Sequence, residues 1–148
     1  MQRNRRRSTR LYKSVIRRLR QRSRELNNWQ IVRRNKALDR PVFVVGCGRS
    51  GTTILGNLLG QHPKLAYLNE PRDIWATAPT TDIWSDAATR RNGELRLTSA
   101  DATPKTASSI TREFILATHK QRAKRLVEKL PINSFRIDFI NAIFPDAL

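Results

Sequence analysis

Cysteine is almost absent: Cys47 alone leaves nothing for an internal disulfide and no pair for a CxxC metal site. The two histidines, His62 and His119, are too few and too far apart for a metal-ligand pattern. No apolar run approaches the roughly 20 residues of a membrane-spanning helix. The most apolar stretches, 42–45 and 54–59, are far shorter. No apolar segment follows the basic start, so a secretory signal is not expected and the cytoplasm is the expected location. Acid is scarce as well, with 12 Asp and Glu against 29 Lys and Arg, a net charge of +17 in 148 residues.

That excess is uneven. Residues 1–40 hold 15 Lys and Arg against two acids, Glu25 and Asp39, whereas residues 41–148 hold 14 against ten. The sequence therefore divides into a basic arm, 1–40, and a mildly basic folded part, 41–148. Within the arm, Leu11, Val15, Leu19 and Leu26 recur at helical spacing, with Ile16 beside them and Trp29 just beyond, and predict a helix over 9–28 ending at Asn27-Asn28. Three roles are open for it. It is a solvated basic helix, a polyanion- or anionic-membrane-binding segment within residues 1–36, or an Arg-rich transit peptide.

After Arg40 the character changes. Val42-Phe43-Val44-Val45 is a short β-branched run of the kind buried on both faces of a parallel sheet. Glycines follow at 46, 48 and 51, and then apolar residues at helical spacing: Ile54, Leu55, Leu58 and Leu59. A second strand is expected over 65–68, and the mixed stretch 72–108 as loops with one or two short helices. Helices are expected over 111–125 and 134–144, with a strand over 126–130 between them. In the first helix Phe114, Ile115, Thr118, Arg122 and Leu126 are expected to define the inner edge, with Lys120, Arg122, Lys124 and Arg125 near the C-terminal end, where they suit the dipole. Strands alternating with helices imply an α/β fold with a P-loop-type parallel sheet and flanking helices, preceded by the basic helix.

Gly46-Cys47-Gly48-Arg49-Ser50-Gly51-Thr52-Thr53 has the glycine spacing of a P-loop. The glycines let backbone N–H groups turn inward at a phosphate, and the following helix adds its unpaired amides and the positive end of its dipole. Ser50, Thr52 and Thr53 add hydroxyls. A nucleotide triphosphatase has Lys where this chain has Thr52, so the clamp on the β- and γ-phosphates is missing; the basic residue, Arg49, comes earlier in the turn.

Gly-x-x-Arg-Ser-Gly-Thr-Thr, followed by Leu58-Leu59, His62-Pro63 and Asn69-Glu70-Pro71, resembles the sulfotransferase family, closest in pattern to its tyrosylprotein-type and bacterial branch. A second block, Glu128-Lys129-Leu130-Pro131-Ile132-Asn133 with Phe139 to Asp146, is similar to that family's Lys-Thr-Pro or Lys-Asp-Pro segment and the Phe-Pro-Asp-Ala after it, although Leu130 replaces the usual threonine or aspartate. The resemblance implies the sulfuryl donor PAPS (3′-phosphoadenosine-5′-phosphosulfate), no metal, and a hydroxyl acceptor on a carbohydrate, phenol or peptide. It places the 5′-phosphosulfate on Gly48, Arg49, Ser50, Gly51, Thr52 and Thr53. Glu70 falls at the general base and Lys129, with Arg49, beside the transferring group. In the family a further strand follows, bearing the Arg and Ser that hold the 3′-phosphate, so the resemblance implies an incomplete C-terminal half and a chain inactive by itself. Two other functions stay open: a degenerate, kinase-like nucleotide- or phosphate-binding module, and a non-catalytic remnant whose working part is the arm.

Overall fold

The computed structural model describes the backbone of residues 2–34 and 38–148, and the side chains of residues 17–33 and 38–148. The side chains of Leu11, Val15 and Ile16 lie outside the described residues. The chain divides into two compact units, Met1–Arg34 and Asn35–Leu148.

The first unit is one helix, α1 (Gln2–Arg34). It runs through Asn27-Asn28, the expected stop, to Arg34. Two asparagines cost only tenths of a kcal/mol each in a helix interior, and neither glycine nor proline follows them to end it.

The second unit is built on three parallel strands in the order β1 (Val42–Val44), β3 (Arg125–Lys129), β2 (Leu65–Asn69). This is the parallel α/β sheet that the alternating pattern implies. The 126–130 strand begins and ends one residue earlier than expected, and β2 extends one residue further. β3 is the central strand and is buried from Leu126 to Lys129. β1 is less enclosed than its apolar sequence suggests: Val42 and Phe43 are half-buried and Val45 lies beyond the strand, 36% exposed. Among the described residues its outer edge is met by Leu148, whose N–H donates to the Pro41 carbonyl and whose carbonyl accepts from the Phe43 N–H, both at 2.9 Å. That pairing is the pattern of a parallel bridge on Val42.

Residues in register share a face. Val42, Tyr67 and Val127 lie on one side, and Phe43, Leu68 and Glu128 on the other. α2 (Thr52–Gly60) covers the first side through Gly56 and Gly60, which let it approach Tyr67 closely. The second side carries an aromatic core. Phe43 meets Trp75 of α3 (Arg72–Trp75), Phe114 of α5 (Pro104–Lys120) and Phe144, with ring centroids 5.4–6.4 Å apart. Trp75, Phe114 and Phe139 have no exposed surface, and each contributes about 1.5–3 kcal/mol by burial. Trp75 is thus core.

α5 starts seven residues before the expected 111, because Thr103 accepts from the Thr106 N–H as N-cap and Pro104 fills the first turn. It also ends earlier, since Arg122 takes a left-handed conformation (φ 55°). Of the basic residues expected at its C-terminal end, Lys120 lies in the last turn, joined by His119, while Arg122, Lys124 and Arg125 lie outside the helix. The helix expected over 134–144 is broken in two: a 3-10 turn (Pro131–Phe135) and α6 (Ile137–Ile143). The break falls at Arg136, whose buried guanidinium donates to the carbonyls of Thr81, Glu94 and Leu95 at 3.0–3.3 Å. The 72–108 stretch holds α3, α4 (Asp86–Arg90) and a 3-10 turn (Ser99–Asp101) between loops.

Candidate functional site

Val44, Lys129 and Asn69 are aligned across the sheet, so all three strands end at one level. Neighbouring strands lie about 4.8 Å apart, and the segments leaving them are brought together at this edge. These are the glycine loop after β1, Glu70 after β2, and Lys129 itself. In an open α/β sheet this carboxyl edge is where ligands bind.

The loop departs from β1 through Gly46, whose N–H donates to Ser134 Oγ at 2.9 Å. Ser134 thereby ties the start of the loop to the 3-10 turn that follows β3. Ser50 closes the turn twice onto the Cys47 carbonyl, through its N–H (3.3 Å) and its hydroxyl (2.7 Å). Its hydroxyl is therefore spent internally, unlike those of Thr52 and Thr53. Arg49 (φ 67°) and Gly51 (φ 83°) are left-handed. Holding a non-glycine residue there costs on the order of 1 kcal/mol. Alternating backbone handedness of this kind makes successive N–H groups converge on a concavity that suits an anion. The N–H groups of Gly48, Arg49, Gly51 and Thr52 have no hydrogen-bond partner among the described residues. Arg49 and the glycines beside it are exposed. Cys47 is a free, exposed thiol.

Glu70 is the first residue past β2. Its N–H donates to the Lys129 carbonyl at 2.7 Å, extending the ladder, and its backbone then turns left-handed (φ 49°). The carboxylate accepts from Lys129 Nζ on Oε1 and from Arg72 Nη2 on Oε2, each at 2.8 Å. Donation from Lys129, and next from Arg72, holds the Glu70 carboxyl below the usual carboxylate range. Lys129 is no surface lysine: its side chain is 3% exposed, against 58% for Arg72. One carboxylate shared by two cations leaves the pair of strand ends with net positive charge beside the amide-lined loop. Asp73 is exposed. His62 is exposed too, and its Nδ1 accepts from the Lys64 N–H.

Several residues of this edge are not apparent from local sequence. Glu128 precedes Lys129 and so projects to the opposite face, where it is fully buried and accepts from Trp75 Nε1 (3.0 Å) and from Asn133 Nδ2 (3.1 and 3.3 Å). Burial pushes its carboxyl up to about 8. Asn133 Oδ1 is buried without a partner in this arrangement. Arg136, lowered to about 10 by burial, stays cationic with Trp84 5.9 Å away. An acid directly after the apolar pair Leu126-Val127 of the central strand is the one sequence signal that marks Glu128. Its partners lie 53 and 5 residues away and leave no local trace. Tyr67 packs on α2, and burial raises its hydroxyl pKa while Lys129 opposes the rise. Among the described residues, no three His, Cys, Asp or Glu are grouped to hold a metal ion.

Residues 41–148 match a family model described as "Sulfotransferase family". Among curated proteins, the chain is 28% identical over 109 residues to protein-tyrosine sulfotransferase 1 of Homo sapiens, covering 72% of this chain and 29% of that protein. It is 29% identical over 109 residues to protein-tyrosine sulfotransferase of Drosophila melanogaster, covering 72% and 21%. The match to protein-tyrosine sulfotransferase A of Caenorhabditis elegans is 28%, covering 72% and 28%. The chain thus spans less than a third of the length of these relatives. No solved structure matches it.

Proposed function

Because the match runs through the whole folded part, this chain belongs to the sulfotransferase family, and from that membership we propose that residues 41–148 bind PAPS and take part in sulfuryl transfer to a hydroxyl acceptor. The observation that carries the reading is the Glu70–Lys129 pair, 2.8 Å apart at the strand ends beside the glycine loop. The free N–H groups of the loop, Arg49 and the hydroxyls of Thr52 and Thr53 suit the 5′-phosphosulfate. The start of α2 adds the positive end of its dipole.

In the proposed reaction the acceptor oxygen attacks sulfur, and the bond from sulfur to the bridging phosphate oxygen breaks. Adenosine 3′,5′-bisphosphate leaves with that bond's electron pair. Glu70 takes the acceptor's proton, and Lys129 and Arg49 stabilise the charge growing on the bridging oxygen, with no metal required. In the resting protein Lys129 makes Glu70 a weak base. An incoming phosphosulfate competes for the Lys129 ammonium, which frees the carboxylate and strengthens it as the donor binds. The relatives' names make a tyrosine hydroxyl the first acceptor to test. The reading assigns no residue of this chain to the 3′-phosphate.

Titration of PAPS into wild type and Arg49→Ala tests the binding half. Affinity should fall by about 1.5–3 kcal/mol, the worth of charge-assisted hydrogen bonds, and should be indifferent to magnesium. Unchanged affinity would remove Arg49 from the site. Tighter binding of magnesium-ATP than of PAPS would move the chain to the nucleotide-binding, kinase-like reading.

A further inference from the structure

The proposed transfer makes no use of α1. At 100° per residue, Leu19, Leu26 and Trp29 fall within about 80° of one another. All three are more than half exposed: 58%, 62% and 57%. The spacing of Leu11 and Val15 in the sequence continues the same stripe toward the N-terminus. Arg18, Arg22 and Arg33 fall at its margins and within it, and the Arg33 guanidinium sits 5.1 Å from the centre of the Trp29 ring. Arg17, Arg20 and Arg24 fall on the opposite side. The sole acid in residues 1–38 is Glu25.

Charge alone fits any polyanion. The apolar stripe discriminates, because a nucleic-acid backbone offers nothing to Leu19, Leu26 and Trp29, whereas a lipid surface takes both components. Apolar side chains enter the boundary between headgroups and acyl chains, a tryptophan sits well at that depth, and the arginine stems bury while their heads reach lipid phosphates. No helix among the described residues is long and apolar enough to cross a membrane. We infer that α1 is an interfacial helix that lies along an anionic lipid surface, seated by Leu19, Leu26 and Trp29 and held by the arginines around them. The inference stands on the Met1–Arg34 unit by itself and does not depend on sulfuryl transfer.

Co-sedimentation of the whole chain with vesicles tests it without any PAPS. Binding should be at least about tenfold tighter to vesicles with about 30 mol% phosphatidylserine than to pure phosphatidylcholine, and should weaken with salt. Replacing Leu19, Leu26 and Trp29 together by serine should cost about tenfold or more on the anionic vesicles. Replacing the same three by alanine, the strongest helix former, strips the stripe while keeping the helix and should weaken binding likewise, which separates loss of the stripe from loss of the helix. Serine variants that bind as tightly as wild type would reduce the contact to charge and overturn the inference. Capture of a single-stranded RNA by wild type in preference to the anionic vesicles would overturn it in favour of nucleic acid.

Discussion

Glu128 lies in the central strand, next to its last residue, with its carboxyl pushed up to about 8, whereas the unfolded chain releases that proton near 4.5. Between those values the native state holds a proton that the unfolded state has lost. Stability therefore falls as pH rises through this window, by at most about 1.4 kcal/mol per pH unit for one proton. Below 4.5 both states are protonated and the penalty vanishes; above about 8 both are ionised and it is constant. Glu128→Gln removes the titration while keeping the volume and an oxygen to accept from Trp75 Nε1. Urea unfolding followed from pH 5 to 8 should show wild type losing stability against the variant by up to about 1.4 kcal/mol per unit. A fixed offset from an imperfect amide contact leaves that slope untouched. Glu70 and Asp82, both lowered in the native state, act in the opposite sense: their contributions are lost as pH falls through the carboxylate range below 4.5, outside the window. Parallel profiles for wild type and Glu128→Gln would refute the neutral buried carboxyl. The neutrality also bears on the site, since an uncharged Glu128 leaves the Lys129 cation free to act on the opposite face of the sheet.

Gly56→Ala would normally gain helix propensity, but the added methyl would collide with the ring and hydroxyl of Tyr67. Thermal unfolding should show about 1–3 kcal/mol of destabilisation, and pairing the change with Tyr67→Ala should cost less than the sum of the two singles. Ser134→Ala strips the Gly46 N–H of its acceptor. PAPS affinity by calorimetry should fall about three- to tenfold, the worth of one hydrogen bond, with Ser134→Thr near wild type.

The glycine loop was legible because its signal is local: an apolar run, glycines at fixed spacing, then helical periodicity, all within 18 residues from Val42 to Leu59. The family resemblance named Glu70 and Lys129, but their direct contact spans 59 residues and became visible only when the strands were laid in register. Local periodicity failed where long-range polar contacts decide the backbone. Arg136 breaks the last helix to reach carbonyls 41–55 residues away. Glu128 carries an acid into the core because Trp75 and Asn133 meet it there. The start of α5 was a missed local signal, since Thr103-Pro104 is a cap and first-turn pair that precedes the first fully buried apolar residue of the helix, Ile110.

The central claim is that Glu70 removes the acceptor's proton while the loop holds the donor, and one paired measurement on Glu70→Gln tests it most directly. In a protein extended by the further strand that the family resemblance implies, transfer of labelled sulfuryl from PAPS to a tyrosine peptide should drop by about 10²–10⁴-fold, the usual share of a positioned base. PAPS affinity, read by calorimetry on the same preparation, should hold or rise, because the neutral amide competes less with the phosphosulfate for the Lys129 ammonium. Near-normal transfer by the variant would contradict the claim. A matching loss of PAPS affinity would contradict it as well, and would make Glu70 a strut for Lys129 and Arg72.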